Sequence, residues 1–203
     1  MRGNLTILIA TFVLLGLLPQ TDLTFVRHGE TVANATGKYN SRTLNEFSEK
    51  GQRQVDLLTA RLLKSRRFEQ ILVSPSPRAM KTILPYLMQT HQMAIVWPLL
   101  YECCTGRRTT SKPTRFAYGP RIVISPGQKA YFRLLPGENS FPVSPDFGSG
   151  LAQVNASVAQ FRREFADKRI LIVGHSAHGG KFLFALTGKH IQVKNAVEIN
   201  ARF

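Results

Sequence analysis

Short apolar runs alternate with longer amphipathic stretches through most of this chain. Four of the apolar runs are compact and rich in β-branched residues, which is typical of strands buried on both faces of a sheet. They span residues 23–26, 70–73, 94–97 and 170–173, and a fifth candidate strand spans 196–199. The stretches between the runs are long enough for helices, so the pattern predicts the α/β class.

Four helices are predicted between or after these strands. In residues 48–63 and 151–166, apolar side chains recur at helical spacing and mark faces that pack on a core. Two further helices are predicted at 77–89, where Pro85 should kink or shorten the helix, and at 176–186. Together these elements predict a three-layer α/β/α sandwich around a mostly parallel sheet.

The N-terminal residues 1–22 differ from the rest of the chain. Residues 5–18 are almost wholly apolar behind a single charged residue, Arg2. This run is shorter than the ~20 residues that a membrane-spanning helix needs, and it matches the apolar region of a secretory signal. No small residues mark a cleavage site, so an uncleaved membrane anchor is an alternative. We expect an exported or membrane-associated envelope protein, or a cytoplasmic one if the segment is not a signal.

Composition and charge narrow the choice of partner. The 203 residues suffice for one domain with a full core, and the net charge is +15. This charge favours anionic partners, although a solvated basic surface would account for it equally well. We expect a small phosphorylated substrate and no specific nucleic-acid partner. The two cysteines, Cys103 and Cys104, are adjacent and cannot link distant segments.

Residues 103–150 interrupt the alternation of strands and helices. They are rich in proline and glycine, and basic residues there far outnumber the two acidic ones, Glu138 and Asp146. Such a stretch within a compact domain is typical of a lid or a substrate-recognition insertion, with a basic solvated loop as the alternative. We therefore predict one domain over residues 23–203 with a basic irregular insertion at about 103–150.

Charged and polar residues follow each of the four main predicted strands. In an open α/β sheet, the carboxyl ends of parallel strands meet at one edge, and ligands bind there. The residues expected at that edge are Arg27 and His28 after the first strand, Ser74 and Arg78 after the second, Glu102 after the third and His175 after the fourth. Two arginines, two histidines and one carboxylate thus converge.

This set of side chains can transfer a phosphoryl group. The guanidinium groups of Arg27 and Arg78 would hold the phosphate oxygens and balance the charge of the transition state. A neutral imidazole of His28 would attack phosphorus, and His175 would complete the clamp. Glu102 would protonate the leaving alcohol and later take a proton from water. The set requires no metal, and no cofactor is expected.

The same residues resemble the histidine phosphatase superfamily, in its phosphoglycerate-mutase-like branch, from about residue 23 to 186. The motifs that carry the resemblance are Arg27-His28-Gly29-Glu30 with Asn34, residues 47–54, Ser74 with Arg78, Ala79 and Thr82, Leu100-Tyr101-Glu102 with Gly106, Pro136-Gly137-Glu138-Asn139, and Val173-Gly174-His175-Ser176. The resemblance implies a phosphohistidine intermediate on His28 and Glu102 as the proton donor. It also implies a phosphate pocket of Arg27, Arg78 and His175.

Two assignments stay open at the level of sequence. His178 competes with His175 for the role of the second histidine, and we favour His175 because it directly follows the apolar strand. Asn34 would either bind a phosphate oxygen or form a turn before Gly37. Asn34 also begins a glycosylation sequon, and a glycan there would obstruct the site, which favours a bacterial source.

The superfamily contains both phosphatases and mutases. We predict a metal-independent phosphomonoester hydrolase, because an apolar, exportable N-terminus suits a scavenging or envelope phosphatase. One alternative is a phosphotransferase of the phosphoglycerate mutase type. The other is a non-catalytic basic scaffold that binds membranes or nucleic acid, and it is weaker because every position with a chemical role is present.

Overall fold

The computed structural model describes residues 20–105, 110 and 112–203. Six strands form the main sheet: β1 (Asp22–Arg27), β2 (Gln70–Val73), β3 (Ala94–Val96), β5 (Phe132–Leu134), β7 (Arg169–Gly174) and β8 (Glu198–Arg202). Two further strands, β4 (Ala117–Arg121) and β6 (Ser140–Val143), pair antiparallel as a separate ribbon.

The main sheet has the strand order β5-β3-β2-β7-β1-β8. All neighbouring strands are parallel except β8, which runs antiparallel to β1 at one edge. Val173 of β7 is level with Val26 on one side and Val73 on the other. Strands β1, β2 and β7 therefore end at the same height, and the prediction of a mostly parallel sheet is confirmed.

The helices are α1 (Val32–Thr36), α2 (Glu49–Lys64), α3 (Pro77–Thr90), α4 (Phe147–Gln160) and α5 (Ser176–Thr187). The four predicted helices are confirmed, and α1 is a short addition. Each of α2, α3 and α4 begins after a polar side chain that accepts a hydrogen bond from its first turn: Ser48, Ser76 and Asp146, respectively. These caps fix where the helices start.

Alternate residues of the strands face two separate apolar clusters, one on each side of the sheet. The first cluster joins Val26, Val73 and Val173 to residues of α2 and α3, including Leu58, Leu62 and Ile83. The second joins Phe25, Leu72 and Ile172 to residues of α4 and α5, including Val154, Val158 and Phe182. The predicted three-layer sandwich is therefore confirmed, with its strands buried on both faces.

The expected shortening of α3 at Pro85 is wrong. The helix continues through Pro85 to Thr90, although a proline inside a helix removes one backbone hydrogen bond. Ile83, Tyr86 and Leu87 of this helix are buried in the core. We attribute the continuity to this packing, which compensates for the lost bond.

Two other boundaries are shifted. The last strand covers Glu198–Arg202 rather than 196–199, because Ala196 has a positive φ of 51° and donates its N–H to the carbonyl of Arg27. Helix α4 starts at Phe147, four residues early, and its last predicted turn, Phe161–Phe165, is a π-helix. In both cases local backbone geometry, not hydrophobic spacing, sets the boundary.

The stretch 103–150 is more regular than predicted. Its strand β5 pairs in parallel with β3 and forms the edge of the main sheet, and Phe132 of this strand is buried. Gln160 of α4 connects this region to the core: its side chain accepts from Trp97 Nε1 at 2.8 Å and donates to Glu138. The stretch is thus partly built into the domain.

The predicted signal or anchor segment falls almost wholly outside the described residues, and it stays a prediction. At its end, the N–H of Thr21 donates to the carbonyl of Phe203 at 2.8 Å. Within residues 20–105, 110 and 112–203, no helix has the length and apolar character needed to cross a membrane.

Candidate active site

His28 lies directly after β1, at the carboxyl edge of the sheet, and is 3% exposed. Its Nδ1 is 2.8 Å from the carbonyl oxygen of Gly29. A carbonyl can only accept, so this contact assigns the proton of the neutral ring to Nδ1. The lone pair of the neutral ring is then on Nε2, which lies 3.2 Å from Nε of Arg78.

The pKa of His28 is lowered to about 3, first by burial and then by the positive charges of Arg78 and Arg27. The ring is therefore neutral at physiological pH. A neutral imidazole is the form that can attack phosphorus.

Arg78 sits in the first turn of α3, which follows β2 after the Ser-Pro-Ser-Pro turn. Its Nε lies 3.2 Å from Nε2 of His28, and its Nη2 lies 3.3 Å from Nδ1 of His175. One guanidinium group thus contacts both histidines. Thr82 braces this turn, since its hydroxyl donates to the Arg78 carbonyl and accepts from the Gly29 N–H.

His175 follows β7 and is completely buried. Its Nε2 is 2.8 Å from the Ser74 hydroxyl and 3.3 Å from the Ser76 hydroxyl. Its ring lies 5.3 Å from that of His28, centroid to centroid, in an edge-to-face arrangement. The two histidines predicted from the ends of separate strands are therefore neighbours.

Arg27 adds a second positive charge to the site. Its guanidinium is close enough to Glu102 and Arg78 to influence their pKa values. The Nε of Arg27 is buried and has no hydrogen-bond partner among the described residues. Because buried polar groups are normally paired, this N–H is available to an anion.

Glu102 reaches the same site from the loop after β3. The backbone N–H of His178 donates to its Oε1 at 3.0 Å, and its Oε2 lies 4.0 Å from Nδ1 of His175. Burial raises the pKa of the Glu102 carboxyl, while that N–H and the arginines partly offset the increase. Since burial also lowers the pKa of His175, the 4.0 Å contact is not an ion pair.

The side chain of His178 points away from this site. It is fully buried, its Nε2 is 3.2 Å from the Ser157 hydroxyl of α4, and its ring stacks on Phe182. Burial lowers its pKa to about 4. Of the two competing histidines, His175 thus faces His28 and Arg78, whereas His178 contributes its backbone N–H to Glu102.

Two other residues of the predicted motifs have structural partners. Asn34 is exposed, and its Oδ1 accepts from the Thr31 N–H at 3.2 Å, in the capping box of α1. Its predicted contact with phosphate remains a prediction. Glu138 is held by Gln160 rather than by the histidines. Gly106 lies outside the described residues.

One supporting residue, Asn195, was missed from the sequence, and another, Tyr101, was named only as part of a motif and without a role. Asn195 donates its Nδ2 to the carbonyl of His28 at 2.8 Å and forms a bridge with Arg27. Tyr101 packs edge-on against His175 and against Phe141 of β6, with centroid distances of 6.3 and 5.1 Å. A hydrophilic residue before the last strand and an aromatic residue before the acid were the only signals available.

The geometry suits an anion bearing a reactive centre next to His28 Nε2. Arg78 contacts both that nitrogen and His175 Nδ1, the charge of Arg27 also acts on the His28 ring, and the Glu102 carboxyl, whose pKa is raised by burial, lies 4.0 Å from His175 Nδ1. Among residues 20–105, 110 and 112–203, no three His, Cys, Asp or Glu side chains are grouped as a metal site.

The chain belongs to the histidine phosphatase superfamily. The model of branch 1 of this superfamily matches residues 23–200, which include all five proposed catalytic side chains. The chain is therefore an enzyme of the histidine phosphatase class. No curated protein sequence matched it.

Solved structures of similar fold come from several organisms. An α-ribazole phosphatase from Shigella flexneri is 20% identical, with a TM-score of 0.60 and coverage of 88% of this chain and 89% of the other. A phosphoglycerate mutase from Bacillus anthracis is 18% identical, with a TM-score of 0.60 and coverage of 91% and 88%. A mutant phosphoserine phosphatase from Entamoeba histolytica, in complex with phosphoserine, is 20% identical, with a TM-score of 0.55 and coverage of 89% of each chain.

Proposed function

We propose that this protein hydrolyses small phosphomonoesters through a phosphohistidine intermediate on His28, without a metal. The observation that carries the proposal is the state of His28. Its Nδ1 is bound to the Gly29 carbonyl, its Nε2 faces Arg78 at 3.2 Å, and its pKa of about 3 keeps it neutral. A buried, oriented and unprotonated imidazole beside a guanidinium is a nucleophile prepared for an anionic substrate.

In the first step, the phosphate oxygens bind Arg27, Arg78 and His175, the last as the tautomer that carries its proton on Nδ1 while Nε2 accepts from the Ser74 hydroxyl. The guanidinium of Arg78 then bonds to phosphate instead of to the Nε2 lone pair, and Nε2 of His28 attacks phosphorus in line with the departing oxygen. The positive charge that develops on the ring is stabilised by the Gly29 carbonyl, which accepts from Nδ1. The two arginines balance the charge on the transferred group.

Glu102 acts as the general acid in the first step and as the general base in the second. Its raised pKa favours the protonated form, which gives its proton to the leaving alcohol. The resulting carboxylate then takes a proton from water as the water attacks the phosphohistidine. Phosphate leaves, and His28 returns to its neutral state with Nδ1 still protonated.

Small phosphorylated substrates fit the site better than a macromolecule does. His28 and His175 are 3% and 0% exposed, and the side chain of Glu102 is 20% exposed, so only a terminal phosphate reaches the nucleophile. The proteins of similar fold include an α-ribazole phosphatase and a phosphoserine phosphatase. These names support a phosphomonoester as the substrate class.

The proposal is tested with an aryl phosphate and the enzyme in the presence of a chelator. We expect release of phosphate by the wild-type protein, a loss of at least ~100-fold in kcat for His28→Ala, and no change for His190→Ala. His190 is an exposed histidine that stacks on Phe184 outside the site, and it serves as the matched control.

Each other outcome points to a different function. Transfer of the phosphoryl group to the hydroxyl of an added alcohol, with little release of phosphate, would indicate a phosphotransferase of the mutase type. No turnover by a folded wild-type protein would favour the basic binding scaffold. Activity that survives in a folded His28→Ala variant would exclude His28 as the nucleophile.

A further inference from the structure

Two adjacent thiols lie immediately after Glu102. The sulfur atoms of Cys103 and Cys104 are 2.7 Å apart. Cys103 is buried and points its thiol toward the Gly150 carbonyl at 3.5 Å, whereas Cys104 is half-buried. Cys104 also has a φ of 65°, in a region that residues other than glycine seldom adopt. This strained conformation brings the two sulfur atoms together.

Gly150 and Lys181 are neighbours of the two thiols. A Cβ atom added at Gly150 of α4 would lie 2.7 Å from the sulfur and 2.9 Å from the backbone nitrogen of Cys104. The charge of Lys181 on α5 favours thiolate formation at both cysteines. The contact with Cys103 lowers the pKa of the Cys104 thiol, and the same contact raises that of Cys103. Because Cys104 is also the less buried of the two, we expect it to be the more reactive thiol.

The pair is linked to the acid through the backbone. The N–H of Cys103 stabilises the Glu102 carboxylate, together with the N–H of His178. A change in the backbone conformation of Cys103 and Cys104 would therefore alter this hydrogen bond to the Glu102 carboxyl group. This makes the two thiols suited to control the protonation step rather than binding of the phosphate.

We propose that Cys103 and Cys104 form a reversible disulfide with each other, and that this bond withdraws Glu102 from acid catalysis. The Cα atoms of neighbouring residues are about 3.8 Å apart, whereas disulfides usually join Cα atoms that are about 4.4–6.8 Å apart. The bond is consequently strained and easily reduced, as is typical of regulatory disulfides.

The oxidant is a low-molecular-weight disulfide of the glutathione type. The Cys104 thiolate attacks one of its sulfur atoms, forms a mixed disulfide and releases one thiol. The Cys103 sulfur then attacks the Cys104 sulfur, its proton passes to the departing thiolate, and a second thiol leaves. The cysteine pair loses two electrons and two protons, and the reagent is reduced to two thiols.

The test uses the full chain in buffers of oxidised and reduced glutathione. Intact-mass measurement should show the loss of two hydrogen atoms without a retained glutathione. The value of kcat/KM for an alkyl phosphate should fall at least ~10-fold, while that for an aryl phosphate, whose leaving group needs little protonation, should change far less. Dithiothreitol should reverse both changes.

Cys104→Ser is the matched control, because it keeps the size and polarity of the side chain but cannot form the bond. Reduced wild type and Cys104→Ser should have the same ratio of alkyl to aryl activity, and only the wild type should respond to oxidation. A stable glutathione adduct in place of the internal bond would overturn the proposal. So would an internal bond that leaves the activity ratio unchanged, or equal inactivation of Cys104→Ser.

The activity measurements rest on the proposed phosphatase function, but the mass measurement does not. If the wild-type protein forms the internal disulfide yet hydrolyses no phosphate ester, the proposed function fails and the modification site stands. If it hydrolyses phosphate esters but forms no internal disulfide, the modification site fails and the proposed function stands.

Discussion

The Nε of Arg78 lies 3.2 Å from Nε2 of His28, so a fixed cation faces the lone pair of the proposed nucleophile. Burial and then this charge lower the pKa of His28, and the contact places the guanidinium at the proposed phosphate position. In the proposed mechanism, binding of phosphate exchanges this arginine–histidine contact for an arginine–phosphate contact. The substrate itself would then release the nucleophile.

Replacing Glu102 with glutamine should separate substrates by their leaving groups. Glutamine keeps the size and polarity of the side chain but cannot supply a proton. We predict a ~10²–10⁴-fold loss in kcat/KM for an alkyl phosphate, which is the usual contribution of a general acid, and a much smaller loss for an activated aryl phosphate. Because kcat/KM reports only the steps up to release of the alcohol, it isolates the acid role. Equal losses on both substrates would remove Glu102 from that role.

The pH dependence should follow the raised pKa of Glu102 and the lowered pKa of His28. The acid must be protonated, so the ratio of kcat/KM for alkyl over aryl phosphate should fall as pH rises above the Glu102 pKa. The pKa of His28 is about 3 instead of 6.5. Protonation of His28 should therefore not reduce activity between pH 6.5 and pH 3. Each substrate loses its second proton near pH 6, the aryl phosphate at a lower pH than the alkyl phosphate, so the wild-type ratio is compared at each pH with that of Glu102→Gln.

In the Glu102→Gln variant the ratio should keep only the change with pH that comes from titration of the two substrates. A decline of aryl phosphate turnover in the acidic direction, centred near pH 6.5 and above the second pKa of the aryl phosphate itself, would contradict the neutral state assigned to His28.

Ser74 should act as a positioning residue for His175. Its buried hydroxyl lies 2.8 Å from His175 Nε2, and Ser76 provides only a longer contact of 3.3 Å. Loss of a buried hydrogen-bond partner costs about 1–3 kcal/mol, so Ser74→Ala should weaken competitive inhibition by inorganic phosphate about tenfold. The pH profile should stay unchanged, because Glu102 and His28 keep their surroundings. An unaltered inhibition constant would show that Ser74 does not orient the ring.

Gly51 should be essential for docking α2 against the loop after His28. A Cβ atom there would lie 1.8 Å from the Glu30 carbonyl oxygen, which also accepts from the Ser48 N–H. Gly51→Ala should reduce the free energy of unfolding by at least ~2 kcal/mol, because backbone must move. Gly127→Ala is the control, since nothing lies within 4 Å of its added Cβ atom. Chemical denaturation of both variants measures the difference, and equal stability would contradict the predicted clash.

Much of the fold follows from hydrophobic periodicity. Strands such as β2 (Gln70–Val73) and helices such as α2 (Glu49–Lys64) are bounded as the pattern predicts, within about two residues. Strand β5 could not be predicted, because a three-residue run in a proline- and glycine-rich stretch carries no period. Its place beside β3 depends on tertiary pairing.

The candidate site was predictable where residues directly follow strands. His28 and His175 illustrate this, since parallel strands end at one edge. The approach of the Glu102 carboxyl to His175 depends on the turn Pro98–Leu100 and on the His178 N–H, neither of which has a sequence signal. Asn195 supports His28 across a large separation in sequence, and only the folded chain shows it.

The most direct test of the account is to trap the covalent intermediate. Glu102→Gln should form the phosphohistidine from an aryl phosphate but hydrolyse it slowly, because the base that activates water is missing. Alkaline quenching and peptide mass mapping should then locate one phosphoryl group on His28, with none in the His28→Ala, Glu102→Gln double variant. A phosphoryl group on another residue, or an equal signal in the double variant, would contradict His28 as the nucleophile.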